Sequence, residues 1–207
     1  MARTERTLLC DLALEVGPDQ PTLSGEWTVR QLVAHLVLRE SSPEALGAVV
    51  PALRSVTDKA LARLTAKDFA GLVERLRNGP PRYSPFAVPK IDAIANTVEF
   101  FVHHEDIRRA QPVWEPRVLS DRHTDVLWKL GPRAGKAAAR KAGVGVVAER
   151  SDTGATTLVK WGPGPVTVRG LPGEITLFLF GRTAQARVEL GGSAEHIARL
   201  SGAPLGL

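Results

Sequence analysis

The sequence predicts an all-α domain followed by a smaller α+β domain. Three observations carry that prediction. Between residues 3 and 110 apolar residues recur mostly at three- and four-residue spacings, the period of helices with one buried face. After residue 143 the period shortens, and short β-branched runs alternate with turns such as Ser151-Asp152-Thr153-Gly154. Between these regions Gln111-Pro112 and Glu115-Pro116 interrupt regular structure, so the boundary is placed there, giving domains of residues 1–116 and 117–207. Helices first, then strands with a helix among them, is the order expected of such a pairing.

Residues 3–16 form the first expected helix, with Leu8, Leu9, Leu12 and Val16 along one side and Gly17-Pro18 closing it. Thr28 and Gln31 have the spacing of a capping box, with Trp27 just outside as a staple residue. The helix they open runs to residue 40 and buries Val29, Leu32, Val33, Leu36 and Val37. Residues 51–77 carry helical spacing through Leu53, Val56, Leu61 and Leu64, then Phe69, Leu72, Val73 and Leu76. A break near Thr65 divides them, with Thr65 or Asp68 capping the second piece. After Asn78-Gly79-Pro80-Pro81 comes a loop holding Tyr83, Pro85 and Phe86, apolar enough to lie over something. A helix over 89–110 follows, striped by Ile91, Ile94, Ala95, Val98, Val102 and Ile107.

In the second domain Ser120 opens a helix over 121–141, with a kink expected at Gly131-Pro132. Strands are expected over 144–149, 156–161, 166–169 and 186–190. Residues 171–180 suit helix or strand by pattern, and Pro172 in a tolerated first-turn position favours helix. A short helix over 194–200 ends the chain.

With 207 residues, 43% hydrophobic and 24% charged, the chain has the composition of a globular protein. No run approaches the roughly 20 apolar residues of a membrane span. The start Met1-Ala2-Arg3-Thr4-Glu5-Arg6 does not resemble a secretory signal, so a cytoplasmic location is expected. The single cysteine, Cys10, excludes an internal disulfide and a cysteine-rich zinc site, and is expected to face the core as a small apolar residue. A net charge of +5 permits nucleic-acid binding, and Lys129, Arg133, Lys136 and Arg140 form a basic stripe at helical spacing. No nucleic-acid motif accompanies the stripe and aromatics are only 5% of the chain, so a solvated helix face is the stronger reading.

The candidate site lies on the 89–110 helix. Glu99 and His103 are four residues apart, on one helix face, as two ligands gripping one metal ion would be. His35, on the second helix, is the natural third. Two histidines and a glutamate form a ligand set suited to catalytic zinc with one position left open, and a helical bundle is a common frame for it. Taken singly, His35 reads more often as a boundary or core histidine and Glu99 as a partly solvated carboxylate. Asn96 and Asp106 are each within a turn of a ligand and are candidates for hydrogen-bonding the ligands.

Trp27-Thr28-Val29-Arg30-Gln31-Leu32-Val33-Ala34-His35-Leu36, together with Glu99-x3-His103, resembles the metal-binding N-terminal domain of mycothiol-dependent maleylpyruvate isomerases, in the DinB-like four-helix-bundle superfamily. Arg39-Glu40 and Val102-His103-His104-Glu105-Asp106-Ile107-Arg108-Arg109-Ala110 resemble an uncharacterised actinobacterial subfamily of such metal-binding proteins. Gly164-Pro165, Gly170-Leu171-Pro172-Gly173-Glu174 and Leu177-Phe178-Leu179-Phe180-Gly181-Arg182 are similar to the isomerases' C-terminal domain, a sterol-carrier-like α+β fold. The resemblance covers nearly the whole chain. It implies His35, Glu99 and His103 as ligands of a divalent metal, most often zinc, with nickel or manganese as alternatives, and Arg182 as an assisting catalytic arginine. It further implies a low-molecular-weight thiol, mycothiol, and a small electrophilic substrate undergoing isomerisation or transfer. The span from His35 to Glu99 is shorter than in those isomerases, so the loops shaping a substrate pocket differ. The rival reading is a metal-binding or stress-response protein without a reaction of its own.

Overall fold

The computed structural model describes residues 1–48 and 50–205; Gly206 and Leu207, at the end of the second expected domain, lie outside the described residues. The chain divides into two compact units, Met1–Glu115 and Pro116–Leu207. Among the described residues, eight α-helices and one four-stranded sheet make up the main regular structure. The first unit is helical and the second is mixed, so the class is α plus α+β.

In the first unit the helices are α1 (Ala2–Val16), α2 (Val29–Ser41), α3 (Arg54–Thr65), α4 (Phe69–Arg77) and α5 (Pro89–Arg109). Their starts have local causes. The Thr28 amide donates to Gln31 Oε1 at 2.9 Å, which anchors the first turn of α2. Asp68, rather than Thr65, caps α4 by accepting from the Gly71 amide at 2.7 Å. Pro89 occupies the first turn of α5, where a missing N–H costs nothing. Helix α1 packs along α5 and α4, while α2 packs on α3 and α4. Leu9, Leu32, Leu36, Leu76 and Phe100 meet in one buried cluster.

One expected helix face is turned, and another is buried over only part of its length. On α1, Leu8 is exposed and Leu12 and Val16 only half-buried, whereas Glu5 and Arg6 are buried beside Leu9, Cys10 and Ala13. Those two charged side chains meet partners inside: Glu5 faces His104 and Arg6 faces Glu40. Pairing removes the penalty that would otherwise keep a charge outside. On α5, Ile91 and Ile94 are exposed, because the helix becomes buried only from Asn96 onward. Leu53 and Val56, at the start of α3, are exposed as well. The loop after α4 does cover something: the Phe86 ring lies 4.6 Å from the Arg39 guanidinium.

The second unit comprises α6 (Asp121–Ala138), β1 (Val146–Arg150), β2 (Thr156–Lys160), β3 (Val166–Gly170), α7 (Pro172–Leu179), β4 (Glu189–Gly191) and α8 (Ala194–Ser201). The sheet order is β2-β1-β3-β4, with β1 parallel to β3 and both outer pairs antiparallel. Val146, Ala148, Val166 and Val168 fill its inner face, every second residue as the pleat requires. The expected strand over 186–190 shrinks to Glu189–Gly191. Residues 182–186 turn instead, with the Ala186 amide on the Arg182 carbonyl, and the Arg187 amide donates to Glu174 Oε2 at 2.8 Å rather than to a ladder. Lys129, Arg133, Lys136 and Arg140 are all exposed. Among the described residues no helix is long and apolar enough to cross a membrane.

Helix α6 continues through Pro132 and lies close against α7. The close approach depends on two glycines one turn apart. A Cβ at Gly131 would stand 2.2 Å from Thr176 Oγ1, and one at Gly135 would stand 2.8 Å from Leu179 Cβ. In an exposed helix Gly→Ala gains about 1 kcal/mol, but overpacking costs about 1–3 kcal/mol. Gly135→Ala is therefore expected to lower the urea midpoint of unfolding, with Gly131→Ala acting in the same direction.

Candidate metal centre

Helix geometry brings Glu99 and His103 onto one face of α5, and α2 supplies His35 opposite them. Glu99 Oε1 stands 3.3 Å from His103 Nε2 and 3.8 Å from His35 Nε2. One ligand atom from each residue lies within 4.8 Å of the others. Four ligands arranged tetrahedrally at zinc distances are about 3.3 Å apart, so one edge already has that length and the others need a modest closing. The three side chains are 13–21% exposed, accessible yet mostly enclosed. The His35 and His103 rings meet edge to face at 5.8 Å, and Trp27 packs on His35 at 5.1 Å between centroids.

The far nitrogen of His103 is also engaged. His103 Nδ1 is 2.9 Å from Asp106 Oδ2, which accepts a second hydrogen bond from Ser24 Oγ at 2.7 Å. The Asp106 carbonyl accepts from the Leu23 amide at 3.1 Å, so the segment before α2 is pinned to α5 here. An ionised carboxylate only accepts, which puts a proton on Nδ1 and aims Nε2 at Glu99. A histidine held by a buried carboxylate, with its other nitrogen turned to a glutamate and a second histidine, is the arrangement metal-ligating imidazoles adopt. The donor set, one carboxylate and two imidazoles, fits zinc and equally suits other divalent first-row ions.

Without an ion, Glu99 Oε1 and His103 Nε2 can share only a proton. Burial pulls the His103 pKa down, but the hydrogen bonds and charges of Asp106 and Glu99 more than reverse this, raising it from 6.5 to about 9. Burial pushes Glu99 up, and the neighbouring His103 and His35 imidazoles, with the charge of Arg39, hold it well below its usual 4.5. A dication would take the place of that proton.

Sequence reasoning did not anticipate the polar frame behind Glu99. Arg39 Nε lies 3.4 Å from Glu99 Oε1, and its Nη1 donates to Asn96 Oδ1. Asn96 Nδ2 donates to Glu40 Oε1 at 2.6 Å and to Asp92 Oδ1 at 2.8 Å, and both Glu40 oxygens bind Arg6. The available signal was spacing: Arg39 follows His35 by four residues and so shares its face. Asn96 thus serves Arg39 and Glu40, while Asp106 serves His103. Cys10 sits fully buried in α1 with its sulfur 3.8 Å from the Val73 carbonyl, and desolvation pushes its thiol up to about 12, so it supplies no nucleophile. Arg182 lies in the second unit just past α7, where Nη1 donates to the Phe180 carbonyl at the helix end.

Compared with models of protein families, with curated proteins and with solved structures, the chain matches none.

The two shifts set a pH signature for metal-stripped protein. His103, raised in the fold, contributes stability that is complete below 6.5 and fades as pH rises through about 9. Glu99, depressed in the fold, contributes stability above 4.5 that fades as pH falls. Urea unfolding in chelator is expected to show wild type losing more stability than His103→Gln between pH 6.5 and 9.5. Parallel curves over that range would exclude a charged His103 in the fold.

Proposed function

We propose that the chain is a divalent-metal-binding protein of the DinB-like bundle kind, with His35, Glu99 and His103 as its ligands. The observation that carries this reading is the convergence of three ligand atoms on one point, with His103 oriented by Asp106. Zinc is the favoured ion, with nickel and manganese accepted by the same donors.

On the same reading the protein acts as a thiol-dependent isomerase or transferase on a small electrophilic substrate. A dication held there lowers the proton affinity of a thiol sulfur beside it. The chain's residues do the rest: Glu99 and the two histidines would hold the ion, Asp106 keeps the His103 tautomer, and Trp27 walls His35. The thiol comes from a small molecule such as mycothiol, since Cys10 is buried and protonated. Arg182 is the proposed assisting cation. The second reading, a metal-binding protein without a reaction, shares the metal and lacks the thiol step.

Elemental analysis of untagged protein purified without chelator tests the metal. Wild type is expected to carry close to one equivalent, and His35→Ala and Glu99→Ala to carry almost none. Wild type without metal after incubation with zinc would contradict the reading. Given one equivalent, consumption of an electrophile only when a low-molecular-weight thiol is present separates the enzyme from the binding protein.

A further inference from the structure

We propose that Arg39 is a positioning residue: it sets where Glu99 and His35 stand relative to each other, and so how tightly the site holds a dication. The inference rests on the metal-binding reading above. The ligands come from two helices with different packing partners. Helix α2 lies on α3 and α4, whereas α5 lies on α1 and on the short turn Pro85–Ala87. At the level of the site, polar side chains tie α2 to α5. Arg39 reaches three α5 residues at once: Nε to Glu99 Oε1 at 3.4 Å, Nη1 to Asn96 Oδ1, and Nη2 to the Ala95 carbonyl at 3.4 Å. The Phe86 ring covers its guanidinium at 4.6 Å. The anchor Asn96 is itself held by Glu40 and Asp92.

A rigid planar fork gripped on these sides fixes the helix spacing one turn from His35. A carboxylate oxygen has two lone pairs, so Glu99 Oε1 can hold Arg39 and an ion together. Arg39 also opposes binding, because a cation near a dication is repulsive. The two effects differ in sign. If charge dominated, removing Arg39 would tighten metal binding; if positioning dominates, removal loosens it. The number and direction of its bonds assign it to positioning.

The test is zinc and cobalt titration of the metal-stripped full chain, comparing wild type with Arg39→Met, Arg39→Lys and Phe86→Ala. Arg39→Met is expected to weaken zinc binding on the order of 10–100-fold, as loss of a ligand's hydrogen-bonding partner does. Arg39→Lys, which keeps the charge without the fork, is expected not to restore it. Phe86→Ala, at a partly exposed position in a short turn, is expected to weaken binding by less and to shift the cobalt absorption bands. Unchanged or tighter binding in Arg39→Met overturns the proposal. Should that variant not fold, unchanged affinity and cobalt bands in Phe86→Ala overturn it instead. Wild type that binds no ion overturns it together with the metal reading, whereas a binding wild type with unaffected variants overturns this inference alone.

Discussion

Helix α5 is buried around nearly its whole circumference from Asn96 to Arg109, yet that span holds seven charged or imidazole side chains: Glu99, His103, His104, Glu105, Asp106, Arg108 and Arg109. Burying such groups is costly unless each is paired where it stands. The first unit meets this constraint with partners from several directions. Glu5 of α1 meets His104 at 3.1 Å, Arg109 Nε meets Glu105 at 2.6 Å, and Asp106 meets His103 and Ser24.

Such pairings fix which side chains must meet, whatever their net contribution to stability. Replacing a buried ion pair by apolar residues is often neutral, whereas removing one partner is strongly destabilising. Arg6 illustrates this. Its guanidinium bonds both Glu40 oxygens and the Leu76 carbonyl and lies 4.4 Å from the Phe100 ring, so α1, α2, α4 and α5 have one shared register. The candidate site lies at the edge of this network, linked through Asn96, Arg39 and Glu99. Beside Glu99 stand two imidazoles and one arginine, and two imidazoles with a carboxylate are a donor set that suits a metal.

Much of the fold was legible because its signals are local. The Thr28/Gln31 cap, the Asp68 cap, Pro89, and the period change after residue 143 each act within a few residues, and the elements they mark stand within a few positions of where the pattern puts them. That Glu99 and His103 share a face was legible from helical spacing alone; that His35 comes to meet them is a tertiary fact. The face of α1 was misread because apolar periodicity assumes that charged residues stay outside, and here Glu5 and Arg6 are inside with partners over 30 residues away while Leu8 is outside. On α5 Val98, Val102 and Ile107 are buried as the stripe predicts, and Ile91 and Ile94 are outside because the helix is covered only from Asn96 onward. The link from Arg39 to Glu99 was hidden likewise, because its partners lie on another helix. The shortening of β4 was hidden because a side chain, Glu174, takes a backbone amide.

The central claim is that His35, Glu99 and His103 hold one ion together. Zinc-edge X-ray absorption on the full chain loaded with one equivalent tests it most directly. The expected spectrum shows two imidazoles with nitrogen and oxygen donors at about 2.0–2.1 Å. A sulfur shell at about 2.3 Å, or a spectrum without the imidazole pattern, would place the zinc elsewhere and contradict the account.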